Sequence, residues 1–291
     1  MNKFISILIV GLFSFGLNSC ISEKKDKPVI TVTILPLKYF ADQIVGNKMD
    51  VMCMVPAGSN PESYDPSPNQ LVTLSKSKSY LAVGELGFEL AWLSKLQQNQ
   101  PALKIYKTSK GIPLIEHKHN DSHRNDDDGG HFGLDPHTWS SPKTARVIAQ
   151  NILSAIIETD PKNEKLYRKN FVRLINEIDQ TDSVLSKKLR TVKNRSFLIY
   201  HPALTYLARD YGLNQYSVEF NGKEPTPQHL KMLVDAAKKH DIRVIFIQKE
   251  FDSKNAQILA QESGCKIVVI DPLSYQWSKG LTDVAIALAS E

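Results

Sequence analysis

Short apolar runs alternate with stretches of helical spacing along almost the whole chain, and that alternation predicts the architecture. Residues 29–35 (VITVTIL) are a nearly continuous β-branched run, the mark of a strand covered on both faces, as in a parallel sheet. Pro36 closes the run, and Leu37, Phe40, Ala41 and Ile44 fall at helical spacing over 37–45 before Gly46 and Asn47. A strand over 51–55, a Pro- and Gly-containing loop over 56–61, a short helix over 68–75, a strand over 80–83, a helix over 88–96 and a strand over 103–106 follow. The order β-α-β-α-β-α-β predicts a small parallel α/β domain.

Ser141 followed by Pro142 is a helix start, a capping hydroxyl with proline at the first helical position. Ala145, Ile148, Ile152 and Ile156 line one face of that helix as far as Glu158. Asp160 and Pro161 repeat the signal, and Tyr167, Phe171, Leu174, Ile178, Leu185 and Leu189 continue at spacings of three, four or seven. A helix of about 30 residues spans about 45 Å at 1.5 Å per residue, which suits a strut between two halves. The alternation then resumes, with strands over 197–200, 215–220, 244–247 and 266–270 and helices over 203–210, 228–239, 255–263 and 281–289. No internal repeat is visible, yet the halves share an architecture. The predicted fold class is α/β, two parallel-sheet lobes bridged by a long rigid helix. Its parts are a first lobe over 29–141 with a His-rich loop over 116–131, linking helices over 142–193 and a second lobe over 194–291.

The start of the chain sets the compartment. Lys3, an apolar run over 4–17 interrupted only by Gly and Ser, and then Asn18, Ser19 and Cys20 have the layout of a secretory signal, too short to read as a stable membrane span. Residues 1–19 are expected to be removed, leaving Cys20 as a lipidated first residue and 20–28 as a polar tether. Removing Lys3 lowers the formal charge from +5 to +4, over a chain that is 42% hydrophobic and has no basic stripe with interleaved aromatics. Nucleic acid is therefore not an expected partner. Cys53 and Cys265 lie in apolar runs and read as buried thiols, since a bridge would have to cross between the halves.

Chemistry concentrates between residues 117 and 139, where five of the eight histidines are interleaved with Asp121, Asp126, Asp127, Asp128 and Asp135. Imidazole and carboxylate are the ligand set of zinc and its first-row neighbours. Residues 117–130 contain nothing apolar to bury and read as a tether, whereas 131–139 regains apolar residues and ends in Asp135-Pro136-His137-Thr138-Trp139. Parallel sheets bind ligands at the carboxyl ends of their strands. Collecting residues just past the predicted strand ends gives Glu62, His201 and Asp271, to which His137 is added where the long loop returns to order. Two nitrogens and two carboxylates make a four-ligand site that is neutral with a divalent ion, suits Zn²⁺ and accommodates Mn²⁺ or Fe²⁺.

The same residues carry a family resemblance. The signal with its Cys20, the Gly58-x-x-Pro61-x-x-Tyr64-x-Pro66-x-Pro68 loop, the His-rich insert, Asp135-Pro136-His137-x-Trp139-x-x-Pro142, residues 201–213 (HPALTYLARDYGL) and Ile270-Asp271-Pro272-Leu273 resemble the metal-binding lipoproteins of zinc and manganese ABC importers. The resemblance covers nearly the whole mature chain. It implies two α/β lobes bridged by a rigid helix, metal held between them, and delivery to a membrane permease by a monomeric, lipid-anchored protein. The family's first ligand is usually a His, and here that place is Glu62. His201 and the His-rich insert resemble the zinc branch, while Mn²⁺ remains the alternative cargo. The mechanism this implies is binding without catalysis. His117, His119, His123 and His131 would collect Zn²⁺ loosely, and the four-ligand site would close round it. Metal must displace protons from imidazole, so affinity is expected to fall below about pH 6.5. Two other readings differ in class. His117-x-His119-x-Asp121-x-His123 nearly matches the ligand motif of metallo-β-lactamase-type hydrolases but fails at Ser122, and a surface adhesin or zinc store would share the binding chemistry with a different partner.

Overall fold

The computed structural model describes residues 27–116, 133–219, 224–251 and 254–290. In the first lobe, β1 (Val29–Val32), α1 (Leu35–Val45), β2 (Asp50–Cys53), α2 (Pro68–Leu74), β3 (Ser77–Ala82), α3 (Gly87–Asn99) and β4 (Lys104–Lys107) follow in turn. α4 (Pro142–Thr159) and α5 (Glu164–Arg190) come next. The second lobe contains β5 (Ser196–Ile199), α6 (Thr205–Tyr211), β6 (Asn214–Ser217), α7 (Pro227–Lys239), β7 (Val244–Gln248), α8 (Lys254–Ser263), β8 (Lys266–Ile270) and α9 (Trp277–Ala289). Each lobe has a four-stranded parallel sheet, ordered β2-β1-β3-β4 in one and β6-β5-β7-β8 in the other. Both sheets therefore reverse their winding in the middle, between β1 and β3 and between β5 and β7. Beyond the carboxyl ends of the strands at such a reversal, parallel sheets open a binding crevice.

Element ends differ from the sequence reading where a proline or a tertiary contact decides them. The run over 29–35 yields a strand of only four residues, because α1 already begins at Leu35 with Pro36 in its first turn, where a missing N–H is harmless. The helix expected from residue 161 starts at Glu164 after a 3-10 turn, and its 27 residues span about 40 Å. Tyr167, Leu174, Ile178, Thr181, Leu185 and Leu189 form its buried stripe. That stripe packs α5 against α1 and α4 on one side and α9 on the other, so it joins the two lobes as a strut would. The last helix starts at Trp277 rather than 281, since Trp277 is buried edge-on to Phe40 with ring centroids 5.1 Å apart. His229 directs Nε2 at the Ser217 carbonyl at 3.1 Å.

Alternation along the strands divides the core. Phe197 and Ile199 of β5 and Val244 and Phe246 of β7 face the same apolar cluster as Ile30, Phe40, Ile148, Ile178 and Trp277. Their neighbours Leu198, Ile245 and Ile247 point to the other side of the sheet, with Leu233 and Leu259 beneath α7 and α8. One hydrophobic core thus runs unbroken from the first lobe through the strut to one face of the second sheet. Polar contacts reinforce it. The Trp139 indole N–H donates to the Pro272 carbonyl at 2.9 Å, and Trp277 donates to the Trp139 carbonyl at 2.7 Å. Among the described residues no helix is long and apolar enough to cross a membrane.

Glu89, in the first turn of α3, is 2% exposed and accepts the Val83 and Gly84 N–H groups at 2.7 and 2.6 Å and the Thr33 hydroxyl. Burial pushes its carboxyl up to about 7, against the pull of those hydrogen bonds. A folded pKa above the unfolded value means that Glu89's contribution to stability is complete below about pH 4.5 and lost as pH rises through about 7. Glu89→Gln is expected to remove roughly 3 kcal/mol of the stability change between pH 4.5 and pH 8, which urea unfolding of both proteins at the two pH values checks. Trp139→Ala, which empties a fully buried site and removes the indole contact to the Pro272 carbonyl, is expected to cost about 3–5 kcal/mol in the same measurement.

Candidate metal centre

His137 is shaped by its own loop. Asp135 Oδ1 accepts the His137 main-chain N–H at 2.8 Å and faces His137 Nδ1 at 2.9 Å, with both side chains almost fully buried. Tyr206 of the second lobe donates its hydroxyl to the Asp135 carbonyl at 2.8 Å, which fixes the loop from the far side. Burial works against both charges. The His137 charge and hydrogen bonds nevertheless hold Asp135 below the usual carboxylate range, and Asp135 in turn holds His137 above the usual imidazole range.

His201 follows β5 and is held at three points. Its Nδ1 lies 2.7 Å from Glu219 Oε2, just beyond β6. Gln248, the last residue of β7 and 1% exposed, accepts the His201 main-chain N–H at 3.2 Å and donates its Nε2 to the His201 carbonyl at 2.6 Å. Since β5 and β7 flank the winding reversal, this amide spans the crevice. Phe251 stacks on the imidazole at 5.1 Å.

Glu62 lies in the loop between β2 and α2. Its Oε2 accepts the Gly87 N–H at 2.8 Å, so the carboxylate sits on the first amide of α3, where a helix end favours negative charge. A Cβ on Gly87 would lie 2.3 Å from the Glu62 carbonyl oxygen, so this approach requires glycine. The other carboxylate oxygen, Oε1, is buried without a hydrogen-bond partner.

These three residues converge. Ligand atoms of Glu62, His137 and His201 all lie within 4.8 Å of one another. With both Nδ1 atoms facing carboxylates, the remaining ring nitrogens present lone pairs, yet His137 Nε2 and His201 Nε2 are 3.0 Å apart. At that distance the two nitrogens can share a proton, and a cation that displaces it meets both lone pairs. Zinc bonds of 2.0–2.1 Å would hold two such nitrogens about 3.3 Å apart. The arrangement is that of a metal site with each donor pinned through an atom that does not ligate.

Asp271 stands apart from the trio. It follows β8, its side chain is 39% exposed, and its Oδ2 lies 3.7 Å from Lys249 Nζ. His117, His119, His123, His131 and Cys20 lie outside the described residues. The flanks of the His-rich insert do meet: Glu116 and Leu134 form an antiparallel bridge, and the Asp135 N–H donates to the Ile115 carbonyl at 2.7 Å. The insert therefore leaves and rejoins the fold beside His137. Sequence reasoning named Asp135 only as part of a motif and missed Glu219, Gln248 and Gly87. Gln248 was within reach, since it directly follows the strand expected over 244–247. Glu219 was placed inside a strand expected to run to 220, whereas β6 ends at Ser217.

A cation-sized site at the seam of two α/β lobes, with donors from both, is the design of a solute-binding protein for a metal. The chain belongs to the family described as zinc-uptake complex component A, periplasmic, whose model matches residues 30–283. It is 28% identical over 274 residues to the high-affinity zinc uptake system protein ZnuA of Bacillus subtilis (strain 168), covering 92% of this chain and 85% of that protein. It is also 28% identical over 281 residues to the zinc-binding lipoprotein AdcA of Streptococcus pneumoniae R6, and there it spans 55% of the relative's length. A crystal structure of ZnuA superposes with a TM-score of 0.83 at 33% identity, over 91% of this chain and 99% of the other.

Because Gly87 holds Glu62 by contact too close for any side chain, Gly87→Ala is expected to displace Glu62. Metal affinity should fall roughly 10–100-fold, as when other supporting groups of metal sites are lost, and competition against a chromogenic chelator measures it.

Proposed function

We propose that this protein captures Zn²⁺ outside the cytoplasm with Glu62, His137 and His201 as ligands and Asp271 as the fourth, and delivers it to the permease of an ABC importer. The observation that carries the reading is the pair of Nε2 atoms 3.0 Å apart, each on a ring whose Nδ1 is already engaged by a carboxylate. The orphaned Glu62 Oε1 completes the inner set. The Irving–Williams order favours zinc over manganese at such donors, while the two carboxylates also suit Mn²⁺, the alternative cargo. Four protein donors leave no open position at which water could become hydroxide, so the chemistry is binding and release without turnover.

The ends of the His-rich insert meet beside His137, so His117, His119, His123 and His131 are tethered near the mouth and raise the local zinc concentration. The core shared by the lobes restrains their swing, which makes unloading the task of the permease. A lipid on Cys20 keeps a monomeric protein close to that permease.

His137→Ala and His201→Ala are each expected to weaken zinc binding by more than the roughly 10–100-fold that loss of a supporting partner causes, and Glu62→Ala and Asp271→Asn to weaken it too. Calorimetric titration of the purified soluble chain with Zn²⁺ and Mn²⁺ tests both ligands and cargo. Unchanged zinc affinity in the double variant His137→Ala/His201→Ala would remove this reading.

A further inference from the structure

β7 and β8 are adjacent and parallel, with Gln248 opposite Ile270. The residues that follow, Lys249 and Asp271, therefore leave the sheet side by side, and their charged groups lie 3.7 Å apart. Lys249 also directly follows Gln248, whose side-chain amide grips both main-chain groups of His201. A cation thus stands on the same short arm that fixes one metal donor, next to the carboxylate assigned as the last donor. An ordinary surface ion pair accounts for the contact, since Lys249 is 64% exposed. It does not account for the position. Of the four expected donors, Asp271 alone lies outside the converged group, and Lys249 lies beside it, offsetting the nearby Glu250 carboxyl as well.

We propose that Lys249 is the resident counter-ion of Asp271 and competes with the incoming divalent cation for it, an inference that rests on the assignment of Asp271 as fourth ligand. Without metal, the ammonium holds the carboxylate at the rim. Capture exchanges one cation for another: Zn²⁺ takes Asp271, and Lys249 turns to solvent, which its exposure permits. On release the ammonium reclaims the carboxylate, so the emptied rim is not left with a bare acid. The pairing lowers affinity by a set amount and keeps the cargo exchangeable. Register alone brings these two side chains together, so the device is built into the sheet.

The test is a double-mutant cycle read by chelator competition, using Lys249→Met, Asp271→Asn and the two combined. Lys249→Met is expected to tighten zinc binding about two- to fivefold at low ionic strength, the scale of an exposed ion pair. The gain is expected to shrink in about 0.5 M salt and to vanish in the Asp271→Asn background. An equal gain in both backgrounds overturns the pairing, because Lys249 would then act by plain repulsion of the ion. Unchanged or weaker binding in Lys249→Met, while Asp271→Asn still weakens it, also overturns the inference and leaves the ligand assignment standing. If Asp271→Asn has no effect on zinc, the inference and the fourth ligand fall together.

Discussion

Two imidazoles aimed at each other, one buried and one part-buried, are the constraint on which this structure turns. A ring nitrogen committed to a carboxylate leaves its partner nitrogen a lone pair, and the fold makes that commitment twice, through Asp135 and through Glu219. A proton between the two Nε2 atoms satisfies the pair when the site is empty, and a cation that displaces it meets two preset donors. Both halves of the chain are arranged to hold that pair in place. Asp135 acts within the loop of the histidine it supports, whereas Glu219 reaches His201 from beyond β6 and Gln248 from the end of β7.

The energetic counterpart is the shared core. Had each lobe closed its own hydrophobic interior, opening the seam would expose only polar surface and would cost little. Here Phe197, Phe246 and Trp277 of the second lobe lie in one cluster with Ile30 and Phe40 of the first. Separating the lobes would strip apolar side chains, at about 25 cal/mol per Å² exposed. Wide separation of the lobes is therefore costly, and the side chains freest to move lie at the part-exposed edge of the seam.

How much of this was legible in the sequence depends on the range of the interaction. β-branched runs and helical spacings reported the order of elements because each is a local pattern. Positions past strand ends pointed to Glu62 and His201, which converge because parallel sheets gather such positions in a single crevice, and to Asp271, which stands outside the group, while His137 was read from the loop's return to order. Element ends were less legible, since Trp277 joins a helix through contact with Phe40, over two hundred residues earlier. The supporting residues were hidden for the same reason. No local pattern says that a glycine at 87 must accommodate a carboxylate at 62, or that an amide at 248 will clasp the backbone at 201. Lys249 and Asp271 became neighbours only when strand order and register were known.

The bridge between Glu116 and Leu134 has a consequence for how this chain can vary among its kin. A stem that closes on itself insulates the scaffold from whatever it carries, so residues can be added to or trimmed from the insert without passing strain to the adjoining turn. Whatever the insert contributes and the stringency of the central site can then drift independently, one through the length and composition of an appendage, the other through a handful of fixed side chains.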